Sequence, residues 1–358
     1  MSAEPLGPVL VVGAGLLGTS IGLALRRTGV DVALSDISEE NLRIASGLGA
    51  ANLTAAQLTA ARLVVVAVPP DHLATEVVRA LREHPGVVTD VGSVKAEPLA
   101  AVHAQVDTAE LSRYVGSHPM AGSERSGPFA ASAALFDGRP WAVAAHPDAD
   151  PAAVQTVAAL ARACGATPVM LTPQEHDAAV ARTSHLPHLL AALVAGRLAD
   201  APAEHLTLSG QGVRDVTRVA AGDPALWRQI VAANATALSE LLREVRADVD
   251  TLLAALAAGD RDAVTTLLDR GVAGTAVIPG KHGGPTRPET SVYVAVPDHP
   301  GELARLLADA GEIGVNIEDL RIDHDPGRPV GLVELLVAAD AVDHLLSSLA
   351  DRGWTAHR

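Results

Sequence analysis

Short runs of consecutive apolar residues punctuate the first third of the chain, at 9–12, 32–34, 63–68 and 87–89. Continuous rather than alternating runs predict strands covered on both faces. Between them, residues 16–27 and 72–82 carry helical spacing, and a later run at 141–145 reads as a further strand. Strand and helix in alternation predict a parallel α/β sheet with right-handed crossovers over residues 1–172. The texture changes at Thr172. Thr172-Pro173-Gln174-Glu175 combines a Thr cap, Pro at the first helical position and Glu three residues after the cap. Long Ala/Leu-rich helical stretches follow. Asp223-Pro224 opens one, and Asp260 caps a shorter one expected to end at Gly271. Residues 173–279 are therefore expected to be all-α. Their helices are too apolar to be solvated all round, so they are expected to pack on each other and on a second subunit.

Residues 280–289, rich in Pro and Gly, read as a linker. Beyond it, Val292, Val294 and Val296 alternate as a half-buried strand. A turn at 297–301, a helix at 302–310, strands at 315–322 and 330–337, a helix at 339–349 and a strand near Trp354 give a βαββαβ order over 290–358.

The turn after the first strand carries the first candidate chemistry. Gly13-Ala14-Gly15-Leu16-Leu17-Gly18 fits GxGxxG, directly after an apolar strand and at the opening of a helix, which is the context the motif requires. Glycines there permit a tight turn and let backbone N–H groups approach a pyrophosphate at a helix N-terminus. The N-terminal domain thus reads as Rossmann-type, with Gly13, Gly15, Leu16, Leu17 and Gly18 as cofactor-binding residues. Asp36, at the end of the second strand, can accept hydrogen bonds from a ribose 2′-OH and would repel a 2′-phosphate, which favours NAD over NADP.

Composition narrows the remaining classes. A formal net charge of −15 over 358 residues argues against a nucleic-acid partner. The apolar stretches are interrupted by Gly, Pro, Arg or Asp, so no membrane span is expected. The N-terminus is acidic rather than basic and runs straight into the Gly-rich turn, so it does not read as a signal peptide, and a cytoplasmic protein is expected. A single cysteine, Cys164, excludes an internal disulfide framework and a Cys-based zinc site.

A second polar, glycine-rich stretch, residues 116–124, follows a strand expected at Tyr114-Val115. It is expected to be a loop at the carboxyl edge of the sheet, where ligands bind in open α/β folds. His118 is the most suitable proton acceptor there, although a lone His before a Pro is more often structural. Ser93 lies just past another strand on the same edge, although a lone Ser also serves as a helix cap. His185 and His188 stand three apart on one helical face and flank Pro187, which is expected to kink that helix. No third ligand with metal-site spacing stands nearby, so the pair reads as facing a ligand pocket or as packed structure, and no metal is expected. Arg218 can hold a carboxylate in a bidentate fork, or pair with Asp215 on the surface.

Taken together, these pieces resemble the prephenate/arogenate dehydrogenase family along nearly the whole chain. The resemblance is carried by GAGLLG at 13–18, DVGSVK at 90–95, GSHPMAGSERSG at 116–127, SHLPH at 184–188, and RDVTR at 214–218 followed by Asp223-Pro224 and Trp227. The C-terminal segment looks like an ACT (ferredoxin-like) domain, with PDHPGEL at 297–303 as its strand–helix turn. The resemblance implies NAD-dependent oxidative decarboxylation of prephenate to 4-hydroxyphenylpyruvate in tyrosine biosynthesis, or alternatively of arogenate to tyrosine. It implies that His118 is catalytic, accepting a hydrogen bond from the ring hydroxyl, and that Ser93 positions that hydroxyl and the imidazole. Arg218 would grip a substrate carboxylate, and Asp215 would pair nearby and gate access. Ser123 and Glu124 would line the pocket, and His185 or His188 would supply a second histidine contact. Arg125 stands where the common pattern has Lys. The helical region corresponds to a dimerisation domain, implying a homodimer. The ACT segment implies tyrosine or another aromatic amino acid as an effector near Asp298, His299 and Gly301.

A different class, a catalytically inactive amino-acid-binding regulatory protein, is disfavoured by the presence of His118, Ser93 and Arg218 together. A 3-hydroxy-acid dehydrogenase would rely on a Lys in the helical region, and no Lys occurs between Lys95 and Lys281.

Overall fold

A computed structural model describes residues 6–58, 60–121, 126–278, 288–324 and 330–358. The chain divides into two compact units, residues 1–250 and 251–358. In the first, β1 (Val9–Val12), β2 (Val32–Ser35), β3 (Leu63–Val66) and β4 (Val87–Asp90) form a parallel sheet in the order β2-β1-β3-β4. Alternate residues of one strand enter different cores. Val9, Val11 and Val65 pack with Ile21 and Leu25 of the helix Leu16–Arg27. Leu10, Val12 and Val64 pack with Leu73, Val77 and Leu81 of the helix Pro70–Glu83. Both faces being covered is what makes β1 and β3 apolar at every position.

The sheet departs from expectation beyond β4. Residues 116–119 are not a loop. They form β5 (Gly116–Pro119), antiparallel to β6 (Pro140–Ala144), which pairs in parallel with β7 (Thr167–Leu171). The all-parallel sheet is therefore corrected to a parallel four-stranded sheet and a mixed three-stranded one, linked where Tyr114 bridges Val88. A polar sequence can be a buried strand here because its hydroxyl is satisfied. Ser117 Oγ donates to the Asp90 carbonyl (2.7 Å) and accepts from Thr89 Oγ1 (3.1 Å). β7 was not read from the sequence although Val169-Met170-Leu171 is an apolar run, and two of those side chains, Val169 and Met170, are exposed.

The Thr172 capping box forms as expected and opens the helix Pro173–Val180. Next comes a π-helical segment, Ala181–His185, and then the helix Leu186–Gly196. Pro187 sits in the first turn of that last helix, directly after the π-helical segment. Asp223 caps Pro224–Ala233, but the long helix expected from there is broken at Asn234 before Ala235–Ala258 continues. Asp260 caps Arg261–Ala276, which runs through Gly271 rather than ending there. A helical glycine costs about 1 kcal/mol, which weakens a helix without stopping it. Leu253, Leu256, Leu268 and Val272 of these helices remain exposed. No helix among the described residues is long and apolar enough to cross a membrane.

In the second unit, β8 (Glu289–Pro297), β9 (Asp319–His324), β10 (Val330–Ala338) and β11 (Thr355–His357) form an antiparallel sheet, order β11-β8-β10-β9. With the helices Glu302–Ile313 and Val342–Asp351 this is the expected βαββαβ order, although β9 starts at Asp319 rather than 315. Val292, Val294, Val333 and Leu335 form the inner face beneath Leu306, Ala310, Leu345 and Leu349.

Candidate active site

The glycine-rich turn joins β1 to the helix Leu16–Arg27. Gly13 has φ +104°, and a Cβ there would lie 2.2 Å from the Ala67 carbonyl oxygen. A Cβ on Gly18 would lie 1.9 Å from the Gly13 carbonyl oxygen, so helix and turn touch without any side chain between them. Gly15 differs: a Cβ there meets nothing within 4 Å, and no side chain caps the helix it precedes. This leaves open space at a free helix N-terminus, the place for a pyrophosphate. Leu16 and Leu17 are half-buried in the first turn. The Asp36 carboxylate accepts from Ala14 N–H (2.5 Å) and Ser38 N–H (2.7 Å), which fixes it beside the turn. The next side chain, Ile37, is fully exposed. A glycine cradle with a carboxylate at the second strand end fits a dinucleotide with a free ribose 2′-OH.

A cleft of about 460 Å³ opens beside His118, Ser93, His185, His188, Arg218 and Trp227. The fold thus gathers five of the expected residues from four separate stretches of chain. Ser93 follows β4 without capping the next helix, whose cap position is Lys95. Asp215 does not line the cleft. It is exposed and accepts from Gln211 Nε2 (2.9 Å). The surface pair between Asp215 and Arg218 does not form among the described residues. Ser123 and Glu124 lie outside the described residues. In the second unit, Asp298 and His299 are exposed in the turn after β8, and Gly301, at φ +96°, begins the helix Glu302–Ile313.

One wall of the cleft is aromatic. His188 stacks on Trp227 at 3.5 Å with an 8° interplanar angle, and His185 meets the same indole edge-on at 5.9 Å. Gly222 makes this possible, because a Cβ there would lie 2.5 Å from Trp227 Nε1 and 3.1 Å from His188 Cε1. Asn234, at the helix break, donates to the Asp177 carbonyl (2.9 Å), and its Nδ2 lies 3.2 Å from His185 Nδ1.

Behind His118 lies a buried polar chain. His118 Nδ1 is 3.0 Å from His176 Nε2, and His176 Nδ1 is 2.8 Å from Asp177 Oδ1. Asp177 also accepts from the backbone N–H groups of Lys95 and Ala96, each at 2.8 Å. Lys95, one of two lysines in the chain, is 1% exposed, and its ammonium donates to the Asp90 carboxylate and to the Ser117 carbonyl (2.8 Å). Burial pushes His118 well below the ordinary histidine value, and the neighbouring His176, Lys95 and His185 add to the effect. Burial likewise lowers His185 to about 4, opposed by Asp177. His118 is therefore neutral at pH 7 and able to accept a proton.

His176, Asp177, Lys95, Asn234 and Gly222 were not singled out from the sequence. The one available signal was His176-Asp177 on a helix with a strong cap, just ahead of the His185/His188 pair.

Comparison with known proteins places these features in one family. Residues 21–171 match the profile of the prephenate dehydrogenase nucleotide-binding domain, and residues 172–270 that of the prephenate dehydrogenase dimerization domain. The chain is 36% identical over 362 aligned positions to the probable prephenate dehydrogenase NovF of Streptomyces niveus, covering 97% of this chain and 99% of that one. It is 29% identical to the prephenate dehydrogenase of Bacillus subtilis, covering 88% of this chain and 87% of that one. Its fold is similar to that of Aquifex aeolicus prephenate dehydrogenase in complex with hydroxyphenyl propionate and NAD+. The TM-score is 0.67 at 24% identity, covering 75% of this chain and 98% of that one. With both profiles and a relative matched almost end to end, the chain belongs to the prephenate dehydrogenase family.

Proposed function

We propose that the protein is an NAD-dependent prephenate dehydrogenase, an oxidoreductase that decarboxylates prephenate to 4-hydroxyphenylpyruvate in tyrosine biosynthesis. The observation that carries this reading is a half-buried, neutral His118 sharing a cleft with Ser93 and Arg218. Gly13, Gly15, Gly18 and the first turn at Leu16 and Leu17 would hold the pyrophosphate, and Asp36 the ribose. NAD, when bound, supplies the acceptor for the hydride that leaves the carbinol carbon. His118 accepts the proton of the ring hydroxyl, which disperses the positive charge developing on that carbon and contributes about 10²–10⁴ in rate. Ser93 orients the hydroxyl, and Arg218 holds a substrate carboxylate. His185 and His188, with Trp227, form the wall against the ring. Loss of carbon dioxide from the substrate then completes aromatisation. On the family pattern alone, Ser123 and Glu124 would contact substrate and Asp215 would gate access.

The exposed leucines of the two C-terminal helices of the helical region support a homodimer. The βαββαβ order supports an ACT domain over 290–358, with tyrosine or another aromatic amino acid bound near Asp298, His299 and Gly301. Equilibrium dialysis with tyrosine tests that assignment, and absence of binding removes it. A free thiol at Cys164 and a biosynthetic role suit a cytoplasmic enzyme.

The test of function supplies prephenate or arogenate with NAD or NADP and follows reduced-nicotinamide absorbance. Prephenate with NAD is expected to turn over, and His118→Asn to lower kcat by about 10²–10⁴ while leaving NAD affinity unchanged. Turnover of arogenate alone would move the assignment to the amino substrate. No reduction with either would overturn it.

A further inference from the structure

We propose that His176 and Asp177 are positioning residues that hold His118 in the tautomer with its proton on Nδ1, so that Nε2 presents a bare lone pair to the cleft. The inference rests on the dehydrogenase reading for its functional meaning, though its geometry stands without it. An ionised carboxylate can only accept hydrogen bonds. Asp177 faces the backbone N–H groups of Lys95 and Ala96 and the Nδ1 of His176. The His176 proton must therefore sit on Nδ1, since a bare Nδ1 would set two lone pairs against each other at 2.8 Å. A neutral His176 then has a bare Nε2, which only accepts. The proton in its 3.0 Å contact with His118 consequently belongs to His118 Nδ1. The rings meet edge to face, with a 68° interplanar angle.

Burial removes the alternatives. His176 is 1% exposed and Asp177 6%, so water does not compete for these atoms. The same burial lowers the affinity of His176 for a second proton, although Asp177 opposes this. Each ring thus carries one proton, and its position is dictated from the Asp177 end. The wrong tautomer of a catalytic histidine cannot act as the base, which is the logic of a carboxylate behind an imidazole. Here a second imidazole extends that logic by one residue. Asp177 has another effect: its oxygens bind the amides of Lys95 and Ala96, two and three residues after Ser93, so one carboxylate orients the imidazole and anchors the loop bearing the serine.

The test uses the full-length chain labelled with ¹⁵N-histidine. His118 is assigned by the resonance lost in His118→Gln. The wild-type spectrum at pH 7 is expected to show His118 protonated on Nδ1 and bare on Nε2. In His176→Leu, with folding checked by circular dichroism, the proton is expected to move to Nε2 and kcat to fall about 10–100-fold, with KM within twofold. In His176→Gln, whose amide oxygen can accept from Nδ1–H, most of kcat should return. A wild-type proton on Nε2, a His176→Leu enzyme with normal kcat, or a His176→Gln enzyme no better than His176→Leu overturns the proposal. Should His176→Leu fail to fold, the wild-type spectrum and His176→Gln decide. The spectrum needs no substrate, so a chain that holds the tautomer but turns over neither prephenate nor arogenate refutes the assigned reaction and not the relay.

Discussion

Replacing Lys95 by Met isolates the buried charge pair beneath the site. The Lys95 ammonium and the Asp90 carboxylate are 1% and 0% exposed, and they hydrogen-bond each other. Removing the ammonium leaves Asp90 with a hydroxyl donor, Tyr114 at 2.9 Å, and an amide donor, Gly92 at 2.8 Å, but no cation. It also strips the Ser117 carbonyl of its Lys95 donor. Breaking one half of a buried pair costs about 3–5 kcal/mol. The two remaining donors place Lys95→Met at the lower end, so a loss of about 3 kcal/mol is expected, and a melting temperature lower by on the order of 10 °C. Urea unfolding followed by fluorescence measures it, because Trp141 and Trp227, two of the three tryptophans, lie in this unit. The double variant Asp90→Asn/Lys95→Met removes the stranded charge and should recover at least half the loss. A single variant within about 0.5 kcal/mol of wild type, or a double no better than the single, refutes the reasoning.

Two further expectations concern the cleft and its histidines. Gly222→Ala sets a methyl 2.5 Å from Trp227 Nε1, and the indole can relieve this by moving into the cleft it lines. The expected result is a kcat/KM lower by about 10–100-fold with little change in melting temperature, and an unaltered kcat/KM would contradict the wall assigned to Trp227 and His188. For pH, kcat/KM should stay level through 6.5 and fall only well below it, because His118 must be neutral and its affinity for a proton is depressed; a limb at or above 6.5 argues against it. Stability has the same sign. His185 titrates at about 4 when folded and near 6.5 when unfolded, so the unfolded chain binds the extra proton between those values. That contribution is complete above 6.5 and is lost as pH falls toward 4, so thermal melts should drop between pH 7 and pH 5.

What could be read from the sequence follows from which interactions leave a linear trace. Strands β1 to β4 were legible because a sheet covered on both faces carries runs of consecutive apolar residues, here ending only at Ser35 in β2 and at Thr89-Asp90 in β4. The cap at Thr172 and the glycine turn at Gly13 were legible because each is a local device with its partners a few residues away. β5 was not, because its burial rests on hydrogen bonds with Thr89, Asp90 and Lys95, 22 to 28 residues distant, and nothing in Gly116-Ser117-His118-Pro119 announces them. The same holds for Asp177, whose backbone partners Lys95 and Ala96 lie 82 and 81 residues away. An acid in the middle of a helix reads as a solvated face until the fold brings two free amides against it.

Two of the residues not read from the sequence, Asn234 and Gly222, stand where regular structure is interrupted. A regular helix repeats its side-chain directions every 3.6 residues, so it presents a stripe and rarely converges on a point. The π-helical segment Ala181–His185 changes that phase just before His188, and π-turns concentrate at functional sites for this reason. The break at Asn234 frees an amide to reach both Asp177 and the His185 ring, and the side-chain-free backbone at Gly222 lets an indole and an imidazole stack face to face. Each interruption weakens a helix locally, and each has a specific contact at the cleft to set against that loss. Residues 235–250 of the helix Ala235–Ala258, which continue without such interruption, are not among the described residues that line the cleft. Irregularity in this helical region therefore marks the side that lines the cleft, while the regular helices leave Leu253, Leu256, Leu268 and Val272 exposed.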